Sequence, residues 1–242
     1  MNLTFRAILA LACMTPLTVN AEAPPISLEG YWSAAYETVV DWDLPVVGKT
    51  QQKVSVLSVW SIAQDGFQFR AKESVCRIEM DSGNQWVQLS MNAPSPKGLS
   101  GTEYTGKWVV GTRGWSIKTF PLRRFHGLKK PWPKDLPETI AETQVVDVDG
   151  DGKPGLTLFL RGMVVSNLEA IQRDDIVFEG ALQGDGSILG TVDWKWERKL
   201  LQSSNSHVTE MPRETWNPKL ALRTFKLTQQ EIEGCLPPSK GP

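Results

Sequence analysis

Residues 187–200 read Ser-Ile-Leu-Gly-Thr-Val-Asp-Trp-Lys-Trp-Glu-Arg-Lys-Leu, and this stretch decides the fold class. Ile188, Gly190, Val192, Trp194 and Trp196 fall on one face, with Thr191, Asp193, Lys195 and Glu197 on the other. A period of two is that of an extended strand, whose successive side chains point to opposite faces. Tryptophan and β-branched residues on the apolar face suit a half-buried strand.

The same pattern recurs outward from this segment. Phe67, Phe69 and Ala71 alternate with Gln68, Arg70 and Lys72. Val54, Val56, Trp60 and Ile62 share one face of 53–62, whose other face carries Leu57 and Val59, so cover on both faces is expected there. Gln64-Asp65-Gly66, Asp81-Ser82-Gly83-Asn84 and Gly184-Asp185-Gly186 punctuate these runs, and Asp-Gly suits tight hairpin turns. Strands are expected over 30–41, 53–63, 66–72, 75–80, 86–91, 108–110, 115–120, 141–147, 156–165, 167–173, 176–183, 188–200 and 219–227. Helical periodicity is nearly absent. Consecutive hairpins imply an all-β antiparallel meander, with a lipocalin- or avidin-like β-barrel favoured because closure removes exposed edges, and a sandwich as the alternative.

The N-terminus carries the compartment signal. Arg6 precedes the short apolar run Ala7–Ala12, and Val19-Asn20-Ala21 offers small residues for cleavage, the pattern of a secretory signal peptide over 1–21. The apolar run is far shorter than the roughly 20 residues of a membrane span, and no later stretch approaches one. The expected mature chain, 22–242, is one domain, secreted or periplasmic and monomeric. Removing Cys13 with the signal leaves Cys76 and Cys235, for which one disulfide is the simplest reading in an oxidising compartment and two buried thiols the alternative. With 26 Lys and Arg against 27 Asp and Glu, the charge is near neutral, which argues against nucleic acid as the partner.

Residues 147–155, Asp-Val-Asp-Gly-Asp-Gly-Lys-Pro-Gly, carry the most specific chemistry. Asp147, Asp149 and Asp151 occupy positions 1, 3 and 5 of a loop with glycine at 6, and Lys153 at position 7 would offer its carbonyl. This is the donor order of a calcium loop, in which alternate oxygens surround one hard cation. The segment resembles the Asp-x-Asp-x-Asp-Gly loops of EF-hands, dockerins and, most nearly, the FG-GAP or VCBS type, whose loop joins strands. It departs from them at position 9, where Gly155 replaces Asp, and from EF-hands at position 12, where Leu158 replaces Glu. That resemblance implies calcium with an incomplete shell, to be filled by water or by Asp174 or Asp175. A bare Asp/Gly turn is the alternative. From Asp147 to about Leu200 the chain also resembles secreted bacterial β-proteins; no activity comes with that resemblance.

Ten tryptophans are many for 242 residues. Trp194, Trp196 and Trp60 are candidates to line a pocket for a small apolar molecule, or to offer a platform to a glycan, with core packing as the competing role. Residues 118–134 hold six basic side chains and His126 without an acid, read as a solvated loop or an anion-docking surface. Catalysis has little support. His126 and His207 lack metal-ligand spacing, and no nucleophile elbow or phosphate loop occurs. Asp41 and Asp43 share a strand face and are the candidate carboxylate pair for a calcium-dependent glycan-active enzyme. The expected activity is binding of a small apolar ligand, ahead of a carbohydrate or cell-surface module and of that enzyme.

Overall fold

Twelve strands and no helix make up the described part of the chain: β1 (Gly30–Leu44), β2 (Gly48–Asp65), β3 (Gln68–Asp81), β4 (Val87–Met91), β5 (Thr102–Gly111), β6 (Gly114–Thr119), β7 (Leu122–His126), β8 (Leu156–Gly162), β9 (Ser166–Leu182), β10 (Ile188–Ser203), β11 (Arg213–Thr215) and β12 (Thr224–Thr228). The computed structural model describes residues 23–44, 48–83, 86–91, 101–112, 114–134, 136–138, 144–215, 223–229 and 235. The expected signal segment, part of the loop at 92–101, and residues 141–143 and 219–222 of two expected strands lie outside these. Among the described residues no helix is long and apolar enough to cross a membrane.

All strand pairings are antiparallel, and the ladders close on themselves. The ring runs β1, β2, β3, β5, β6, β9, β10, β12 and back to β1. β9 is its spine. One edge of β9 pairs with β10 along nearly its whole length. The other edge takes three short strands end to end: β8 at Ser166–Ala170, β7 at Gln172–Ile176 and β6 at Glu179–Ala181.

The alternation read from 187–200 is the one observed: Ile188, Val192, Trp194 and Trp196 are buried, and Asp193, Lys195 and Glu197 are exposed. Tyr36, Trp60, Tyr104, Phe178 and Phe225 meet in the interior with ring centroids 4.8–5.6 Å apart where they touch. Aromatic side chains bury about 150–250 Å² each, so this cluster contributes much of the core's hydrophobic stabilisation.

Four expectations change. The runs 66–72 and 75–80 are one strand, β3, with a bulge: Leu57 pairs Arg77 while Ser58 pairs Val75, leaving Cys76 unopposed. The extra residue shifts the inward phase from Phe69, Ala71, Glu73 and Val75 to Ile78 and Met80. The runs 167–173 and 176–183 are likewise one strand, β9, because Asp174 points inward and is buried instead of turning the chain. The third change concerns 118–134, where β7 crosses the supposed loop and buries Arg124, Phe125 and His126. Of 144–147, only Val145 and Asp147 make isolated bridges.

Cys76 and Cys235 form a disulfide with Cα atoms 5.5 Å apart, closing a 159-residue separation. Such a bond belongs to an oxidising compartment, which fits a protein outside the cytoplasm.

Candidate functional site

β7 and β9 set two Arg–Asp pairs side by side. Arg123 lies opposite Asp175 and Arg124 opposite Asp174. Because neighbours on a strand face opposite ways, the first pair is outside and the second inside. Arg123 Nε donates to Asp175 Oδ1 at 2.7 Å in solvent, whereas Arg124 Nε donates to Asp174 Oδ2 at 2.7 Å in the interior. Both aspartates are engaged by arginines, and neither joins the group of Asp147, Asp149 and Asp151.

The inner pair belongs to a longer network. Glu73, fully buried, accepts from Tyr36 and Ser58 hydroxyls at 2.9 Å, from Tyr104 at 2.8 Å and from Arg124 Nη1 at 3.2 Å. Asp174 accepts from Gln172 Nε2 at 2.6 Å and lies 3.0 Å from His126 Nε2. Gln172 Oε1 in turn accepts from Arg198 Nε at 2.6 Å, and Arg198 Nη1 donates to Glu214 at 2.9 Å. Trp42 Nε1 ends the line on Glu214 at 3.2 Å. Burial alone would raise the Asp174 carboxyl, but Arg124 and His126 outweigh it and hold it well below the usual carboxylate range. With Asp174 ionised, His126 Nε2 carries the proton of their hydrogen bond. At Glu214 burial wins over Arg198 and pushes the carboxyl up. Burial beside the Glu73 carboxylate keeps Tyr36 and Tyr104 as neutral phenols.

Two hollows flank this network. A narrow cavity of about 30 Å³ is lined on its polar side by Tyr36, Arg124, His126, Gln172, Trp194 and Arg198. A much larger cleft of about 890 Å³ runs between β4, β8, β10 and residues 207–214, and Asp43, Trp196, Arg198 and Glu214 are among its walls.

The three predicted tryptophans divide between these places. Trp194 walls the cavity, Trp196 the cleft, and their rings meet edge to face at 5.0 Å. Trp60 stands apart, stacked on Tyr104 deep in the core. Asp43 reaches the cleft, and Asp41 accepts from Gln51 Nε2 at 3.2 Å.

The acidic loop is drawn tight by its own backbone. Asp147 accepts from the Gly150 and Gly152 amides at 2.7 and 2.9 Å, Asp151 from Lys153 at 2.9 Å and Asp149 Oδ2 from Thr157 at 2.8 Å. One oxygen from each of Asp147, Asp149 and Asp151 lies within 4.8 Å of the others, a group able to hold a metal ion. Asp149 Oδ1 is buried without a partner, an orphaned anionic acceptor that a cation would satisfy. Desolvation pushes the Asp149 carboxyl up, and the Asp151 charge adds to it. At Asp147 desolvation acts the same way, but the Gly152 and Gly150 amides prevail and bring it down. Carboxylates have about four lone-pair sites each, so bonds to amides leave room for a metal. An all-oxygen set suits a hard cation.

Position 9 of the loop also has its explanation. Gly155 has φ +91°, and a Cβ there would stand 2.5 Å from the Ala170 carbonyl oxygen of β9. Its amide donates to Val146 O and its carbonyl accepts from Val148 N, which closes the loop on itself. Lys153 Nζ points to Glu169, 3.8 Å away.

Comparison of the chain with protein-family models, with curated proteins and with solved structures found no match. What the geometry defines is an antiparallel all-β protein with a buried ionic spine, an acidic metal-capable loop and one large cleft among the described residues. The buried spine was missed by sequence reasoning. Its signal was the pairing of Arg123-Arg124 with Asp174-Asp175, two like dipeptides of opposite sign on different strands.

Proposed function

We propose that this is an exported, calcium-stabilised β-protein that binds a small apolar ligand in the cleft between β8, β10 and residues 207–214. The observation that carries the reading is the cleft itself. Its volume of about 890 Å³ lies within the 300–1,000 Å³ usual for small-molecule sites. Val87, Leu160, Val164, Leu168, Trp196 and Met211 supply an apolar lining, and the Arg198–Glu214 pair supplies a polar end. Apolar surface removed from water is worth about 25 cal/mol per Å², so such a lining favours a hydrocarbon body over a sugar. Calcium is the ion assigned to Asp147, Asp149 and Asp151, with the Lys153 carbonyl as a further donor. Three carboxylates with few other ligands suit a weak site filled at the millimolar calcium found outside cells. The basic and apolar pattern of residues 1–21, together with the disulfide, supports export.

Binding of the apolar fluorophore N-phenyl-1-naphthylamine tests the cleft. Wild-type protein should bind it saturably, and Val164→Glu, which sets a charge in the half-buried wall, should bind at least about tenfold more weakly, as expected when a carboxylate must be desolvated. Equal binding by both proteins, or none by either, would overturn the assignment.

A further inference from the structure

A small interior cavity lies beside the cleft, and the Arg198 side chain contributes to the walls of both. Its walls divide sharply in chemistry. Val54, Val56, Val75 and Leu156 form a dry side, and half-buried Ile78, Met80 and Met91 form the rim. The opposite wall is the ionic spine, which brings the donor-bearing side chains of Arg124, Arg198 and Trp194 to the cavity. Both arginines spend Nε and Nη1 on the bonds described above, and no acceptor among the described residues takes Nη2 of Arg124 or Arg198. Trp194 is 4% exposed, and its indole Nε1–H is buried with no hydrogen-bond partner. A native interior seldom leaves such a donor orphaned, because its lost hydration is then uncompensated.

The charge of the wall selects the ligand. Arg124 and Arg198 already face three carboxylates, Glu73, Asp174 and Glu214. The guanidinium donors are therefore free for hydrogen bonding while their charge is spent. An entering carboxylate would add a fourth negative group to a buried cluster, at high cost in low dielectric. A neutral acceptor meets no such cost. About 30 Å³ holds roughly two to three water-sized centres by the measure in which one needs about 10–15 Å³, room for a carbonyl group with one small substituent, any second one reaching the half-buried rim.

We propose that this cavity binds a small neutral carbonyl compound, such as an amide or ketone, with its oxygen on the Trp194, Arg124 and Arg198 donors and its apolar substituent toward Val54 and Val56. The flexible Met80 and Met91 side chains at the rim give the tail of a longer molecule a way out.

Nuclear magnetic resonance of the full chain tests this. The indole N–H signal of Trp194, assigned by its loss in Trp194→Phe, is followed while acetamide and, separately, sodium acetate are added at constant ionic strength. The expected result is a saturable shift with acetamide and at least a tenfold weaker response to acetate. The cavity-filling variant Val56→Leu should abolish the acetamide response, and Val54→Ile serves the same purpose if the first does not fold. Absence of a saturable shift, meaning that water alone occupies the cavity, would overturn the proposal. So would equal affinity for acetate, or a response that survives filling.

Discussion

Arg124 and Asp174 are direct cross-strand neighbours on β7 and β9, and their 2.7 Å bond is sealed inside the ring of strands. The aspartate has no exposed surface and the arginine side chain 8%. Removing one partner strands the other charge in the core, a loss of about 3–5 kcal/mol, whereas replacing both with apolar groups of similar volume is often neutral. Asp174→Ala should therefore unfold at much lower urea than wild type, and Arg124→Met/Asp174→Leu should recover only part of the difference, because Glu73 is left without its buried cation. A double substitution no better than the single one would show that the pair's other partners, Glu73 and His126, dominate.

Acid stability should bend in two places. The Asp174 carboxyl is held below its ordinary 3.8, so the unfolded state binds its proton first. Its contribution is present above that value and is lost as pH falls below it. Glu214 acts in the opposite sense. Burial raises it above 4.5, the native state then holds the proton more tightly, and stability declines as pH rises through the interval above 4.5. Thermal melts from pH 2 to 7 should show an ascending limb and then a descending one. Glu214→Gln is expected to flatten the second limb and leave the first.

Calcium at millimolar concentration should raise the melting temperature, with about 1.4 kcal/mol gained when its concentration is ten times the dissociation constant. Asp149→Asn should abolish that gain. Gly155→Asp would restore the ninth-position carboxylate of related loops, but this position has φ +91° and no room before Ala170 O. Strain of this kind costs about 1–3 kcal/mol, so the variant should melt lower and bind calcium no more tightly. Tighter binding in Gly155→Asp would refute the steric account.

Reduction of Cys76–Cys235 releases a 159-residue separation, for which loop entropy gives about 5 kcal/mol. Cys76→Ser/Cys235→Ser should show a loss of that order in urea titrations. A change under about 1 kcal/mol would mean the unfolded chain is already compact in that region.

Legibility followed the strength of alternation. β10 was readable because Val192, Trp194 and Trp196 alternate with charges over a long run. β3 read as two strands because the bulge at Cys76 reverses the inward phase, and a reversal looks like a turn in one dimension. β9 was split at Asp174-Asp175 because adjacent carboxylates signal a surface turn unless a buried cation is known to meet them. That cation sits about 50 residues upstream, in a basic run whose residues 122–126 are strand rather than solvated loop.

The chain by itself determined the all-β class, the punctuating turns and the metal-capable order of Asp147, Asp149 and Asp151, because each is a local property of residue type and spacing. Closure of the ring through β9 and β10, the inward Arg124 beside the outward Arg123, and the cleft beside Trp196 were decided only by tertiary structure. These depend on which strands meet and in what register. A one-residue shift of β7 along β9 would turn Arg123 inward and Arg124 outward while Asp174 and Asp175 kept their faces, breaking both pairs, so the position of these charges follows from the pairing and not from the composition.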